Sequence, residues 1–117
     1  MWFTGVHSDV GGGYPDGQLA DLTLRWLAGR ARRQGLEFDD TFDVGTEEAA
    51  FGPLHESLRG FYRLFGSYSR PIGAASSAGE SVASTAVKRL KASAAYRVPT
   101  MESYLRRPQA RVTDVSG

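Results

Sequence analysis

His7 and Asp9 stand two residues apart in the stretch WFTGVHSDVGGGYP, between an apolar run and three consecutive glycines, and are the pair in this chain best suited to moving a proton. An imidazole exchanges protons near neutral pH, and a neighbouring carboxylate both orients the ring and stabilises its charged form. The same residues could serve structure alone, with His7 hydrogen-bonding at a strand end. Gly11, Gly12 and Gly13 point to a demanding loop, because three glycines in a row are entropically costly and suit places where the chain needs positive φ or a close backbone approach. Their N–H groups could converge on an anion or on the Asp9 carboxylate. Ser8 and Tyr14 flank these groups and, with the glycines, are the residues expected to shape the loop or face a substrate.

Other chemistries find less support. The phosphate-loop pattern GxxxxGK[ST] is absent, no lysine follows the glycines, and GxGxxG does not fit VGGGYPDG. A metal site on His7 and Asp9 lacks further ligands, since His55 is the only other histidine. We therefore expect neither a metal nor a cofactor. His55 and Ser57 fall on a predicted helix and read as structural residues, because no G-x-S-x-G turn surrounds the serine.

Trp2, Phe3, Thr4 and Val6 are β-formers interrupted by Gly5, which predicts one short strand ending at the polar residues. Leu19, Leu22, Trp26 and Leu27 recur at helical spacing, predicting an amphipathic helix over about residues 18–34. Asp16 or Asp21 suits its N-terminal end, Arg30, Arg32 and Arg33 suit its last turn, and Gly35 suits the position after the cap. Leu36 to Asp43 reads as a half-buried extended or irregular connection. Pro53 can open a second helix, with Leu54, Leu58, Phe61, Tyr62 and Phe65 on one face and Gly66 ending it. SYSRPIGAASSAG, Ser67 to Gly79, predicts a flexible connection, with Arg70 as its anion handle. A third helix is expected over about Ser81 to Ala92, then an extended stretch with a helical turn near Met101 to Leu105, and a frayed tail.

Composition narrows the function further. At 117 residues the chain holds at most one domain, large enough for a core but small for a complete α/β enzyme. Its 14 basic and 13 acidic side chains leave a formal charge of +1, which argues against a nucleic-acid partner. The absence of cysteine excludes disulfides, thiolate metal sites and a cysteine nucleophile. No apolar stretch approaches the roughly 20 residues of a membrane span, and no secretory signal opens the chain, so synthesis in the cytoplasm is expected.

WFTGVHSDVGGGYP followed by LADLTLRWLAGRARRQGL resembles the α/β-hydrolase-like catalytic domain of bacterial type VI secretion phospholipase effectors, a family long catalogued as a domain of unknown function. The resemblance is carried by Trp2, Phe3, Gly5 to Tyr14, Leu24, Trp26, Gly35 and Leu36. GPLHESLRGFYRLFG, Arg70 to Gly73, and VKRL with Tyr96 and Arg97 resemble the family's C-terminal stretches more loosely. It implies lipid-ester hydrolysis by a serine on a G-x-S-x-G elbow, with Asp and His partners later in the chain, and export by a type VI system. On that resemblance His7 takes the place of the base, and Asp9 supports the loop, binds its backbone amides or contributes to the acid function. Two departures stand out. No G-x-S-x-G occurs in these 117 residues, and Val82-Ala83-Ser84-Thr85-Ala86 replaces an I-H-x-S-V stretch, putting Ala83 where the family carries a histidine.

Together these readings predict an α/β class, as the mainly helical C-terminal portion of an α/β-hydrolase-like domain with one short N-terminal strand. Residues 1–105 would form the partial domain and residues 106–117 a flexible tail. The expected function is part of a serine lipid-ester hydrolase, inactive alone and separated from its nucleophile by a truncated gene or fragmentary reading frame. A lipid or ester substrate would then require an upstream nucleophile-bearing segment. The alternative is a non-catalytic helical interaction module with an anion-binding glycine loop. Exposed apolar surface on a partial domain would also favour self-association.

Overall fold

The helical spacing of Leu19, Leu22 and Trp26 is realised in the computed structural model, which describes residues 1–39, 46–57, 64, 66, 68–73 and 79–115. A short helix, α1 (His7–Gly11), precedes the long one, α2 (Gln18–Arg33). Leu19, Leu22, Thr23 and Ala28 of α2 are buried, and Trp26 meets Phe3 edge to face at 5.7 Å. Leu27, expected on the same face, is instead 51% exposed, as is Leu24 at 42%. The end of α2 follows from local rules. Gly35 takes φ +88°, its N–H bonds to the Arg32 carbonyl at 2.9 Å and the Leu36 N–H to the Ala31 carbonyl at 3.1 Å. These two bonds satisfy carbonyls that the last helical turn would leave unpaired.

The sheet is small and parallel. β1 (Val82–Ala83) pairs with β2 (Val112–Thr113), Val82 opposite Val112 and Ala83 opposite Thr113. On the other side of β1, Trp2 forms a single parallel bridge to Val82, with Trp2 N–H donating to Ser81 and Ala83 N–H to Trp2. The expected N-terminal strand is thus one bridge long, and Val6 already serves as the residue before α1. Parallel neighbours require long crossovers. The first joins Trp2 to β1 and includes α2, while the second joins β1 to β2 through α3 (Ser84–Ala92) and α4 (Pro99–Leu105). Flanked on both edges and covered by helices, Val82 and Ala83 are 0% exposed.

Several expectations are corrected. The third helix starts at Ser84, because Val82 and Ala83 are taken up by the sheet. Pro53 to Ser57 are not helical; a 3₁₀ helix at Glu47–Phe51 precedes them. The rest of that expected helical face, Leu58, Phe61, Tyr62 and Phe65, lies outside the described residues. So do residues 40–43 of the expected extended connection, and Ser67 and residues 74–78 of the expected flexible one. Two residues of the latter are tied down: Ile72 is buried, and the Gly73 N–H donates to the Glu80 carboxylate while the Gly73 carbonyl accepts from Arg107, whereas residues 68–71 are exposed. The helical turn expected at Met101 to Leu105 is α4, begun by Pro99 at its first position. Beyond it the chain returns to the sheet as β2, and Val115 is 0% exposed, so a free tail from residue 106 does not describe residues 112–115.

The core joins Leu19 and Leu22 of α2, Ala50, Ile72, both β1 residues, Ala86 of α3, Met101 and Tyr104 of α4, and Val115. The result is a mixed α/β arrangement in which helix predominates among the described residues. No helix among them is long and apolar enough to cross a membrane.

Tyr104 ties the C-terminal half to the sheet. Its hydroxyl donates to the Glu80 carbonyl at 3.2 Å and accepts the Arg111 N–H at 2.9 Å, one residue before β2. Tyr104→Phe keeps the buried ring and removes both hydrogen bonds. It should lower unfolding free energy by about 1–3 kcal/mol in urea titrations; an unchanged midpoint would show that water replaces the hydroxyl.

Candidate functional site

Gly5 makes the site possible. At φ +111° it turns the chain out of the Trp2 bridge, and a Cβ built there would stand 2.4 Å from the Cβ of Asp9. Asp9, third residue of α1, therefore folds back over the turn, and its Oδ2 accepts the Val6 N–H at 3.0 Å. This satisfies one of the donors that the start of a helix leaves free. The side chain is then buried, with Asp9 4% exposed overall.

A buried carboxylate needs further donors, and His55 supplies them. Its backbone N–H donates to Asp9 Oδ2 at 3.3 Å, and its ring Nδ1 lies 2.7 Å from Asp9 Oδ1. His55 is delivered by the segment after the 3₁₀ helix. Gly52 passes so close to α2 that a Cβ there would lie 2.8 Å from the Gln18 Cβ. The carbonyls of Ala50 and Gly52 are held from the other side by Arg89 of α3, at 3.0 and 2.6 Å. The Tyr14 ring stacks on the imidazole, centroids 3.7 Å apart and planes 20° from parallel. Asp16 Oδ1 stands 3.4 Å from the other ring nitrogen, Nε2.

The electrostatics of Asp9 follow from this geometry. Burial pushes its carboxyl up. The hydrogen bond from the His55 ring, the backbone N–H donors of Val6 and His55, and the attraction of the His55 ring together outweigh burial and hold it below its ordinary value. Asp9 is therefore an ionised acceptor that fixes the His55 ring by Nδ1. That is the arrangement in which a carboxylate orients an imidazole for proton transfer at its second nitrogen.

The expected residues are thus redistributed. Asp9 is paired with a histidine, but the histidine is His55, and the glycine N–H groups do not bind the carboxylate. His7 is exposed at the start of α1, without an ion-pair partner among the described residues. Gly12 and Gly13 take φ +86° and +125°, whereas Gly11 closes α1. Ser8 lies beneath Gly13, 3.7 Å from where a Cβ would be. Tyr14 belongs to the site through its stacking on His55. His55 and Asp16 are the residues that sequence reasoning left in structural roles. No spacing rule joins positions 9 and 55; the available signal was that His55 is the chain's second and last histidine. Among the described residues, no group of three or more His, Cys, Asp or Glu is placed to hold a metal ion.

The family model of the type VI secretion system phospholipase effector Tle1-like catalytic domain matches residues 1–30. The matched stretch contains Gly5, His7, Asp9, the glycines, Tyr14, Asp16 and the first part of α2, and stops before His55. The chain is also 42% identical over 60 residues to the uncharacterized protein YEL023C of Saccharomyces cerevisiae, a match covering 45% of this chain and 9% of that protein. It therefore spans only a small part of that relative's length. No solved structure matches the chain.

Two outcomes test the site's energetics. Because the folded-state value of Asp9 is lowered, its contribution to stability is complete above the ordinary carboxylate value and is lost as pH falls through the lowered one. Asp9→Asn should remove this part of the acid limb in a plot of urea midpoint against pH. Gly5→Ala should cost about 1–3 kcal/mol from backbone strain, before any displacement of Asp9 is added. A Gly5→Ala protein as stable as the parent would contradict the close packing of Gly5 on Asp9.

Proposed function

We propose that this chain supplies the acid–base part of a serine-type lipid-ester hydrolase of the type VI phospholipase effector kind. Its nucleophile would come from a G-x-S-x-G segment outside these 117 residues. The observation that carries the reading is the contact of 2.7 Å between Asp9 Oδ1 and His55 Nδ1, with Asp9 inside the stretch matched by the family model. In the completed site Asp9 orients the imidazole. His55 Nε2 then takes the proton of the attacking serine and returns it to the leaving alcohol. The base role expected for His7 passes to His55 in this proposal, because His55 is the histidine that Asp9 holds.

Ala83 bears on the same assignment. It is 0% exposed between Trp2 and β2, so an imidazole at that position would displace its neighbours. An imidazole for this chain's chemistry is better sought at His55. Acyl transfer needs nucleophile, base and oxyanion donors in one cleft, so the 117 residues alone should turn over no ester. The substrate in this reading is a phospholipid or related ester, and the route out of the cell is a type VI system.

A second reading, a non-catalytic interaction module, rests on a different observation. Asp16 stands on Nε2, and Leu24, Leu27 and Phe51 are exposed on the surface.

Ester and phospholipid hydrolysis separates the two. The assay compares the chain alone with the chain mixed with the N-terminal, G-x-S-x-G-bearing part of a phospholipase of this family. Turnover is expected only in the mixture, reduced by about 10²–10⁴-fold in His55→Ala and largely kept in His7→Ala. Turnover by the chain alone, or a mixture indifferent to His55→Ala, would overturn the hydrolase assignment. An inactive mixture of folded parts would favour the interaction module.

A further inference from the structure

His55 is gripped on more sides than a proton-transfer residue requires. Asp9 holds Nδ1 at 2.7 Å, Tyr14 covers one face at 3.7 Å, and Asp16 Oδ1 faces Nε2 at 3.4 Å. The last contact lies within ion-pair reach but lacks hydrogen-bond geometry, and Asp16 Oδ1 is shut off from solvent with no hydrogen-bond partner. A carboxylate oxygen in that position loses hydration and gains only the ring beside it. Both ring nitrogens thus face carboxylate oxygens, and a neutral ring, with one N–H, can serve only one of them.

Tyr14 and Asp16 sit on the same connection between α1 and α2, whereas Asp9 sits on α1 itself. Gly12 and Gly13, both at positive φ, open that connection just before Tyr14, and Gly17 follows Asp16. A rotation at these glycines would carry Tyr14 and Asp16 away together and leave the Asp9–His55 pair in place. We propose that residues Tyr14–Gly17 form a closure over His55, in which Asp16 occupies the Nε2 position and keeps the imidazole from reacting until the loop moves. Its catalytic consequence rests on reading His55 as the base; the closure itself rests on the distances alone.

Diethyl pyrocarbonate tests the closure without any ester substrate. An unprotonated, accessible imidazole nitrogen attacks the reagent's carbonyl; an N–C bond forms, the anhydride C–O bond breaks, and ethyl carbonate leaves. The chain has two histidines, and exposed His7 is the internal reference within the same molecule. Peptide mass mapping at neutral pH should show His55 modified more slowly than His7. Asp16→Ala should raise the His55 rate relative to His7 by about fivefold, the factor equivalent to a partly exposed ion pair. Asp16→Asn is the second variant, with circular dichroism verifying that each folds, and should give a smaller rise in the same direction. Equal rates for the two histidines in the parent, or a His55 rate untouched by Asp16→Ala in folded protein, would overturn the closure. Slow His55 modification released by Asp16→Ala would establish it even if the completed protein hydrolysed nothing.

Discussion

A carboxylate taken out of water organises the N-terminal half of this chain. Asp9 retains 2% side-chain exposure, and such a group survives in ionised form only where donors replace its lost hydration. One donor is local, the Val6 N–H at the start of α1, and two come from His55, far along the chain. This requirement propagates outward. Gly5 must lack a Cβ for Asp9 to fold back, Gly52 must lack one for the segment bearing His55 to pass α2, and Arg89 must hold the carbonyls of Ala50 and Gly52. Through Arg89 the carboxylate on α1 is coupled to α3 and so to β1, where the sheet begins.

The sheet could not supply this organisation alone. Its ladder is two residues long on one side and a single bridge on the other, far below what isolated strands need to persist. Its role is to bring three distant points of the chain, Trp2, β1 and β2, into parallel register. The burial of Val82, Ala83 and Val115 then holds them there. Side chains reinforce the arrangement where the ladder stops. Thr113 Oγ1 donates to Ser81 Oγ at 2.8 Å, and Tyr96 reaches Thr4 at 3.3 Å. The site and the sheet therefore stabilise each other, since the segment from Trp2 to Asp9 belongs to both.

What could be read from the sequence follows the range of the interactions involved. The core of α2 and its closure at Gly35 are settled by neighbours within a turn, and spacing and capping rules identify them. Val82 and Ala83 read as helix because a two-residue strand carries no period; only the edges offered by Trp2 and β2 make them a strand. The return of the chain at Val112 was hidden for the same reason. The glycine turn was legible because Gly12 and Gly13 need a conformation few residues tolerate, whereas Asp9 was expected beside His7 or under the glycine N–H groups. Its partner His55 was not legible, because the contact joins residues 46 apart and depends on Gly52 and Arg89 rather than on any motif. His7, nearer in sequence, is carried to the exposed side by the helical turn that buries Asp9.

The same geometry that makes His55 credible as a base also restrains it. An oriented imidazole needs one nitrogen held and the other open to the group it deprotonates. Asp9 meets the first condition, and Asp16 stands against the second. If this cluster were only a structural clamp, burying an Asp16 oxygen with no hydrogen bond would be a poor use of the second carboxylate. A better cross-link would turn that oxygen to water or to a backbone N–H. A movable loop resolves the conflict, because the shut-off Asp16 oxygen regains water when Tyr14 and Asp16 leave together. The glycines on either side of that loop then do more than shape a turn: they let α1 keep its hold on His55 while the cover moves.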